Sequence, residues 1–389
     1  MNLFSKIAIV LKGDIMKIWV IGRSYPQDSN NMQGSFELEQ AKMLANNGHS
    51  VTYISCVFHP FKKVKNWGFS NFIEDNVNII TYSQIYTIER MKLHFESFKK
   101  KIWKKLLKYV EEKNGIPDII HVHYPSNITV ADTILSYKQY GVKIICTEHW
   151  SQVLNNKIDK YELNQLKKYV KYSDTFLSVS KSLKDSIIKL TNSNNIEILP
   201  NMVNENFQIS KKSSNKFIFV AVGALTKNKQ FDKIIEAFNQ QFSNAENCKL
   251  RIIGGGNELK NLIKLVKKNK MQGNVIFEGI LSRVETSKKV SESDVLVSFS
   301  KSETFCVPII EAWACGIPVI TSDTISVNEV WDDRLGFNIT DSTVTNLSKY
   351  MKYVFENYEI FDKNYIRNYA LSNYSEESIY NKLMYYYSR

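Results

Sequence analysis

SETFCVPIIEAWACGIPVI, residues 302–320, carries a helix and a strand whose limits are set by residue type. Pro308 suits the first turn of a helix, where its missing N–H is not needed. The helix runs to Cys315, and Gly316 stops it. An apolar strand follows at 319–321. The loop 303–307 delivers backbone N–H groups to the start of that helix, a ready anion site. Glu311 is placed on the first helical turn at the same mouth. Glu303 precedes the loop and faces the same cavity. Two carboxylates with seven residues between them, flanking an anion-binding turn, suit a sugar phosphate.

Working outward, short apolar runs alternate with longer amphipathic ones. Strands are predicted at 17–21, 50–54, 118–122, 142–146 and 175–179. Helices are predicted at 36–46, stopped by Gly48, and at 128–139, stopped by Gly141. The rhythm breaks at 199–214, which is polar, rich in Asn and Ser, and holds Pro200. It restarts with strands at 217–222, 250–253, 275–277, 295–297 and 319–321. Continuous apolar strands alternating with helices mean parallel sheets covered on both faces. The expectation is an α/β chain of two doubly wound, Rossmann-like domains facing across a cleft, with ligands at the strand C-terminal ends. The boundaries expected are an extension at 1–15, an N-terminal domain at 16–205, a C-terminal domain at 206–372, and a helix at 373–389 returning to the N-terminal domain. Met16 opens MKIWVIG and reads as the functional start, with an extra strand before it as the alternative.

Composition sets the outer limits. With 389 residues, two domains are the default. Hydrophobic residues at 43% and charged residues at 23% exclude disorder and coiled coil. The apolar runs are too short for a bilayer-spanning helix. Cys56, Cys146, Cys248, Cys306 and Cys315 are scattered without metal-ligand spacing, which reads as reduced thiols in a cytoplasmic protein. The formal net charge is +12. Half of that excess lies between Phe58 and Lys113. Within it, MKLHFESFKKKIWKKLLKYV (91–110) has helical period, with Phe95, Phe98, Ile102, Leu106 and Tyr109 on one stripe and Trp103 at its edge. A basic amphipathic helix at 92–110 reads either as a contact for an anionic membrane surface, peripheral on the inner face of the plasma membrane, or as a domain helix with solvated lysines. No base-reading module is present, so nucleic acid is not expected as a partner.

The ordered motifs resemble a GT-B glycosyltransferase of the family-4, retaining type. Glu303 and Glu311 match that family's paired glutamates, and AWACGIPVI its helix–Gly–Pro–strand. SVNEV (326–330) resembles its Gly-Gly-x-x-Glu segment with both glycines absent. VGALTKNKQFDKIIEAF (222–238) puts Lys229 in the phosphate-binding position. RIIGGGNELKNLIK (251–264) resembles its Gly-rich turn, and LPNMV (199–203) its interdomain segment. TEHWS (147–151) puts His149 near the donor sugar, and the stretch 25–51 resembles the acceptor-side loop and first helix.

The resemblance implies that His149, Lys229 and Glu303 are catalytic. Gly254, Gly255, Ile280, Thr304, Phe305, Cys306, Val307 and Glu311 are implied to bind the donor, Glu311 through the ribose, and Gly34, Ser35 and Phe36 to form the acceptor-side loop. It implies a nucleotide-sugar donor, a glycan or lipid-linked acceptor in bacterial surface polysaccharide synthesis, and retention of configuration. No cofactor is implied. The chain has no Asp-x-Asp, so no metal is expected. Departures are Ala224 where an Arg often accompanies the Lys, Gln230 for a Gly, and Cys306 for a Gly, whose Cβ tightens the sugar pocket if the backbone keeps a negative φ. A nucleotide-sugar epimerase or phosphorylase of the same fold and a non-catalytic donor-binding subunit are the alternatives. His121 is expected to be structural, and His123 to sit in either cleft or core.

Overall fold

The computed structural model describes residues 15–26, 33–59, 67–85, 92–128, 130–212 and 214–389. The extension at 1–15 lies outside them but for Ile15. The chain divides into two units, Met1–Pro200 with Ile379–Arg389, and Asn201–Ser378. The first boundary falls five residues before the expected one. The C-terminal return begins at Ile379, six residues later than expected.

The first unit opens with β1 (Lys17–Gly22), α1 (Ser35–Asn46), β2 (Ser50–His59), β3 (Gly68–Glu74), β4 (Val77–Ile85), α2 (Lys92–Asn114) and β5 (Ile119–His123). It continues with α3 (Pro125–Ile128), α4 (Ala131–Leu135), β6 (Lys143–Glu148), α5 (Ser151–Leu154), α6 (Lys160–Tyr172), β7 (Thr175–Ser178), α7 (Lys181–Thr191) and β8 (Glu197–Ile198). The strand order is β3-β4-β2-β1-β5-β6-β7-β8, parallel except where β3 pairs antiparallel with β4. Central strands such as β5 are buried along their whole length, as their continuous apolar character requires.

Two departures stand out. The β3–β4 hairpin was not expected. It turns through Asp75 and Asn76 at φ 45° and 64°, the doubly left-handed pair of a two-residue hairpin loop. Pairing with β4 out to His59 also carries β2 past the predicted residue 54. The helix expected at 128–139 is instead α3, α4 and a 3-10 turn over Ser136–Tyr140. Val130 is non-helical at φ −126°, and Gly141 closes the turn at φ 80°.

The second unit holds β9 (Phe217–Val222), α8 (Phe231–Phe242), β10 (Cys248–Ile253), α9 (Leu259–Lys268), β11 (Val275–Gly279), α10 (Arg283–Ser291), β12 (Val295–Ser298) and α11 (Val307–Ala314). Then come β13 (Val319–Ser322), α12 (Ile325–Asn328), β14 (Gly336–Ile339), α13 (Val344–Glu356), α14 (Lys363–Tyr374) and α15 (Glu376–Ser388), whose residues from Ile379 join the first unit. Its sheet is parallel, in the order β11-β10-β9-β12-β13-β14. Phe219, Phe238 and Phe242 anchor its core. Trp313 is wholly buried against Trp331, as packing rather than a stacking platform. All five cysteines are free and buried.

Of the stripe on α2, Leu106 is buried and Phe95, Phe98, Ile102 and Tyr109 are half-buried, and Trp103 is buried with it, at 3% exposure. Lys99 pairs with Glu96 at 3.1 Å, and Lys100 lies over the Tyr161 ring. Lys101, Lys104, Lys105 and Lys108 are exposed. Among the described residues no helix is long and apolar enough to cross a membrane.

Candidate active site

In the second unit two loops at strand C-terminal ends are tied together. The Lys301 N–H donates to the Asn228 carbonyl at 2.8 Å. Asn228 Nδ2 donates to the Ser302 carbonyl at 2.9 Å, and Ser302 Oγ to Asn228 Oδ1 at 3.2 Å. The tether brings Lys229 Nζ to 2.5 Å from Glu303 Oε1, across 74 residues of sequence. Burial disfavours the Lys229 ammonium, but the Glu303 carboxylate outweighs it and the pKa ends above the ordinary lysine value. Lys229 is therefore a fixed positive charge. Gln230, beside it, holds φ 48°, so the left-handed turn survives the loss of the expected glycine.

The loop before α11 corrects three expectations. Cys306 sits at φ 60°, so it keeps the left-handed backbone of a glycine instead of a negative φ. Phe305, Cys306 and Val307 are all buried, and Phe305 packs edge-on against Tyr374 at 5.7 Å. Their side chains belong to the core. Thr304 stays half-buried. Burial pushes the Cys306 thiol up to about 12, which keeps it protonated and unfit as a nucleophile. Glu311 is the fifth residue of α11, hence in its second turn, with 2% exposure.

Sequence reasoning missed the partner of Glu311. Arg283 Nη2 lies 2.6 Å from Glu311 Oε1, and the guanidinium covers the Phe207 ring at 5.1 Å. Ser282 and Glu285 form a capping box that starts α10. That signal could have placed Arg283 at the first helical position, though not against Glu311. A role for Ser326 was also missed. Its Oγ donates to the Glu303 carbonyl at 2.8 Å, so the segment that lacks the family's glycines still holds Glu303, while Glu329 is exposed. Gly254 is at φ 133°, and a Cβ there would meet the Gly223 carbonyl oxygen at 2.0 Å. Only glycine lets these two turns approach backbone to backbone. Ile280, 37% exposed, packs over Gly255.

In the first unit β5 and β6 end beside each other and present a row of rings. His121 Nε2 bonds Thr147 Oγ1 at 2.7 Å, and its Nδ1 bonds Tyr387 Oη at 2.8 Å. His121 is thus structural and tied to the returning α15. His123 is 1% exposed, and its Nδ1 lies 3.0 Å from His149 Nε2. It is a core residue that touches the candidate catalytic one. Burial pushes His123 down to about 3, so it is neutral. Glu148, another residue the sequence did not single out, accepts the His149 and Trp150 N–H groups at 2.9 and 3.0 Å and Ser126 Oγ at 2.5 Å. Burial raises its pKa against those hydrogen bonds. At the acceptor-side loop, Gly34 is at φ 91°, and a Cβ there would meet the Ser24 carbonyl oxygen at 1.9 Å. Tyr53 Oη donates to the same carbonyl at 2.6 Å. Ser35 is buried and Phe36 half-buried in the first turn of α1.

Residues 202–371 match the family described as Glycosyl transferases group 1, and residues 35–207 match Glycosyltransferase Family 4. The chain is 25% identical over 328 residues to the N-acetyl-alpha-D-glucosaminyl L-malate synthase of Bacillus anthracis, covering 81% of each. It is 21% identical over 240 residues to the phosphatidylinositol N-acetylglucosaminyltransferase GPI3 subunit of Saccharomyces cerevisiae, covering 59% of this chain and 53% of that one. Among solved structures, Anabaena HepE in complex with UDP and glucose has a TM-score of 0.71 at 14% identity, covering 96% of this chain and 99% of that one.

Proposed function

The chain belongs to the group 1 glycosyltransferases of GT-B fold, and we propose that it is a retaining enzyme moving a hexosyl unit from a nucleotide-sugar to a hydroxyl acceptor. We place that acceptor on a lipid carrier in bacterial surface polysaccharide synthesis. The observation that carries the reading is the meeting of Lys229 and Glu303 beside the N-terminus of α11. A fixed cation and converging N–H groups are what a departing diphosphate needs, and Glu303 supplies an acceptor for sugar hydroxyls. The solved neighbour holding UDP and glucose supports a nucleoside diphosphate sugar as donor, and the two N-acetylglucosaminyl relatives support a hexose-derived unit as the group moved.

The barrier lies in breaking the anomeric C–O bond as charge builds on the leaving phosphate. Lys229 and the N–H groups of the 303–307 loop are preorganised toward that charge, and one such donor is worth about 3–4 kcal/mol. The acceptor hydroxyl attacks from the face the diphosphate leaves, and a phosphate oxygen takes its proton. Configuration is then retained without a protein nucleophile, in keeping with the protonated Cys306. The reading keeps for His149 the orientation of the transferred sugar, and for Glu311 the ribose hydroxyls. No metal is assigned, because the chain has no Asp-x-Asp and its cation at the phosphate position is a lysine.

The test is a thermal-shift panel of UDP, GDP, ADP and their hexose conjugates on the full chain. Saturation at a hundred times Kd should stabilise by about 2.7 kcal/mol. Silence across the whole panel sinks the donor assignment.

A further inference from the structure

Arg23 stands just past the C-terminal end of β1, and the site described above does not use it. Its guanidinium lies over the ring face of Tyr124, 4.0 Å from the centroid. Tyr124 in turn stacks on His149 at 4.8 Å and 24°. Tyr124 holds φ 53°, a left-handed backbone rare for a bulky aromatic. Such strain persists where the surroundings enforce it. Here it sets the ring between the arginine and the histidine.

A guanidinium carries five N–H donors. Among the described residues no carboxylate pairs with that of Arg23, and its Nε is shut off from solvent without a hydrogen-bond partner. Leaving a buried donor unmet is unfavourable. The nearest acid named by the geometry is Glu37. Its Oε1 receives the Arg23 backbone N–H at 3.4 Å, not the guanidinium. Burial raises the Glu37 pKa, and the nearby Arg23 charge offsets part of that rise. The guanidinium is planar, and its paired N–H groups form a fork that fits two oxygens of one anion.

We propose that Arg23, stacked on Tyr124, binds an anionic group of the acceptor, a phosphate or a carboxylate. The inference rests on the glycosyltransferase reading only in calling that ligand the acceptor. Ser24, the next residue, shares Tyr53 Oη with Gly34, at 2.6 and 3.4 Å, so Arg23 is built into the acceptor-side loop. The groups assigned to the donor phosphates, Lys229 and the 303–307 loop, belong to the other unit. A neutral sugar hydroxyl would not call for a guanidinium that no carboxylate pairs among the described residues.

The shielded Nε–H makes Arg23 observable by NMR of the full chain carrying 15Nε-arginine, and Arg23→Gln identifies its signal. Methyl phosphate, inorganic phosphate and L-malate are titrated against neutral methyl glucoside. The phosphates or the malate should move the Arg23 signal while the glucoside does not, and which anion moves it separates phosphate from carboxylate. Arg23→Gln should weaken that binding roughly tenfold or more, the worth of a charged hydrogen bond. Arg23→Lys, which keeps the charge but not the fork, should fall between. An Arg23 signal that no anion moves makes the residue a packing element and overturns the proposal. So does a signal moved by UDP at concentrations that saturate its thermal shift, because the anion is then the donor's. Absence of any nucleotide thermal shift, with the anion response intact, overturns the donor reading and leaves the anion site standing.

Discussion

Lys229 and Glu303 are the residues whose chemistry is most exposed to test. Lys229→Ala removes a fixed charge aimed at the leaving phosphate. Turnover should fall about 10²–10³-fold while thermal unfolding stays cooperative. Near-full turnover, followed as nucleotide release, would refute the phosphate assignment. The second pair gives a stability test. Glu311 is 2% exposed, so losing Arg283 strands a buried carboxylate, at a cost of about 3–5 kcal/mol. Arg283→Ala should therefore destabilise more than Arg283→Ala combined with Glu311→Gln. Losses in urea melts that simply add, the double variant losing as much as Arg283→Ala and Glu311→Gln together, would show that the two do not couple.

Helix α2 is the element on which sequence and structure divide most instructively. Its apolar stripe is absorbed by the fold: Phe69 stacks on Tyr109 at 4.2 Å, and Phe58 meets Phe95 edge-on. Lys99 and Lys100 are occupied within the protein. A membrane contact on this helix would use the exposed Lys101, Lys104, Lys105 and Lys108, of which Lys105 also lies over the Phe69 and Tyr82 rings and Lys108 pairs with Glu112 at 3.8 Å. Each basic residue at an anionic leaflet contributes about 1 kcal/mol. Changing these four to Gln should release the chain from anionic vesicles at low salt, as read by sedimentation, and leave its melting temperature nearly unchanged. Binding indifferent to lipid charge, salt and these substitutions would mark α2 as a solvated helix face.

For the molecule as a whole, two global measurements follow. Transfer should survive EDTA, since the cation proposed at the phosphates is Lys229; activity lost and restored by Mg²⁺ or Mn²⁺ would contradict this. Acid stability is the other. His123 is depressed to about 3 when folded against about 6.5 unfolded. Between those values the unfolded chain binds the extra proton, so stability rises with pH across that window and falls on acidification. The slope is about 1.4 kcal/mol per pH unit for each such histidine. His121, also depressed by burial, adds the same sign. Glu37 and Glu148, raised by burial, act oppositely above the ordinary carboxylate pKa. His123→Gln should flatten the slope of unfolding free energy between about pH 4 and 6 while leaving the glutamate contribution in place. An unchanged slope would show that His123 does not titrate on unfolding.

The alternation of buried strands and amphipathic helices is legible in the chain because it is local. Each apolar run, each Gly at a helix end and Pro308 act on neighbours a few residues away, and the motif order carried the fold class with them. The Asp75–Asn76 turn was equally local and could have been read. The broken helix after β5 could not: its apolar period persisted while Val130 left the helix. Pairings between distant residues were also beyond reach. Arg283 with Glu311, Arg23 with Tyr124, Glu148 with Ser126 and His121 with Tyr387 join groups set face to face by strand order and by the return of α15. Composition constrains which side chains are available. Which charge meets which depends on chain segments brought together only when the sheets close, and that juxtaposition sets burial, pKa and the arginine that pairs with no carboxylate among the described residues.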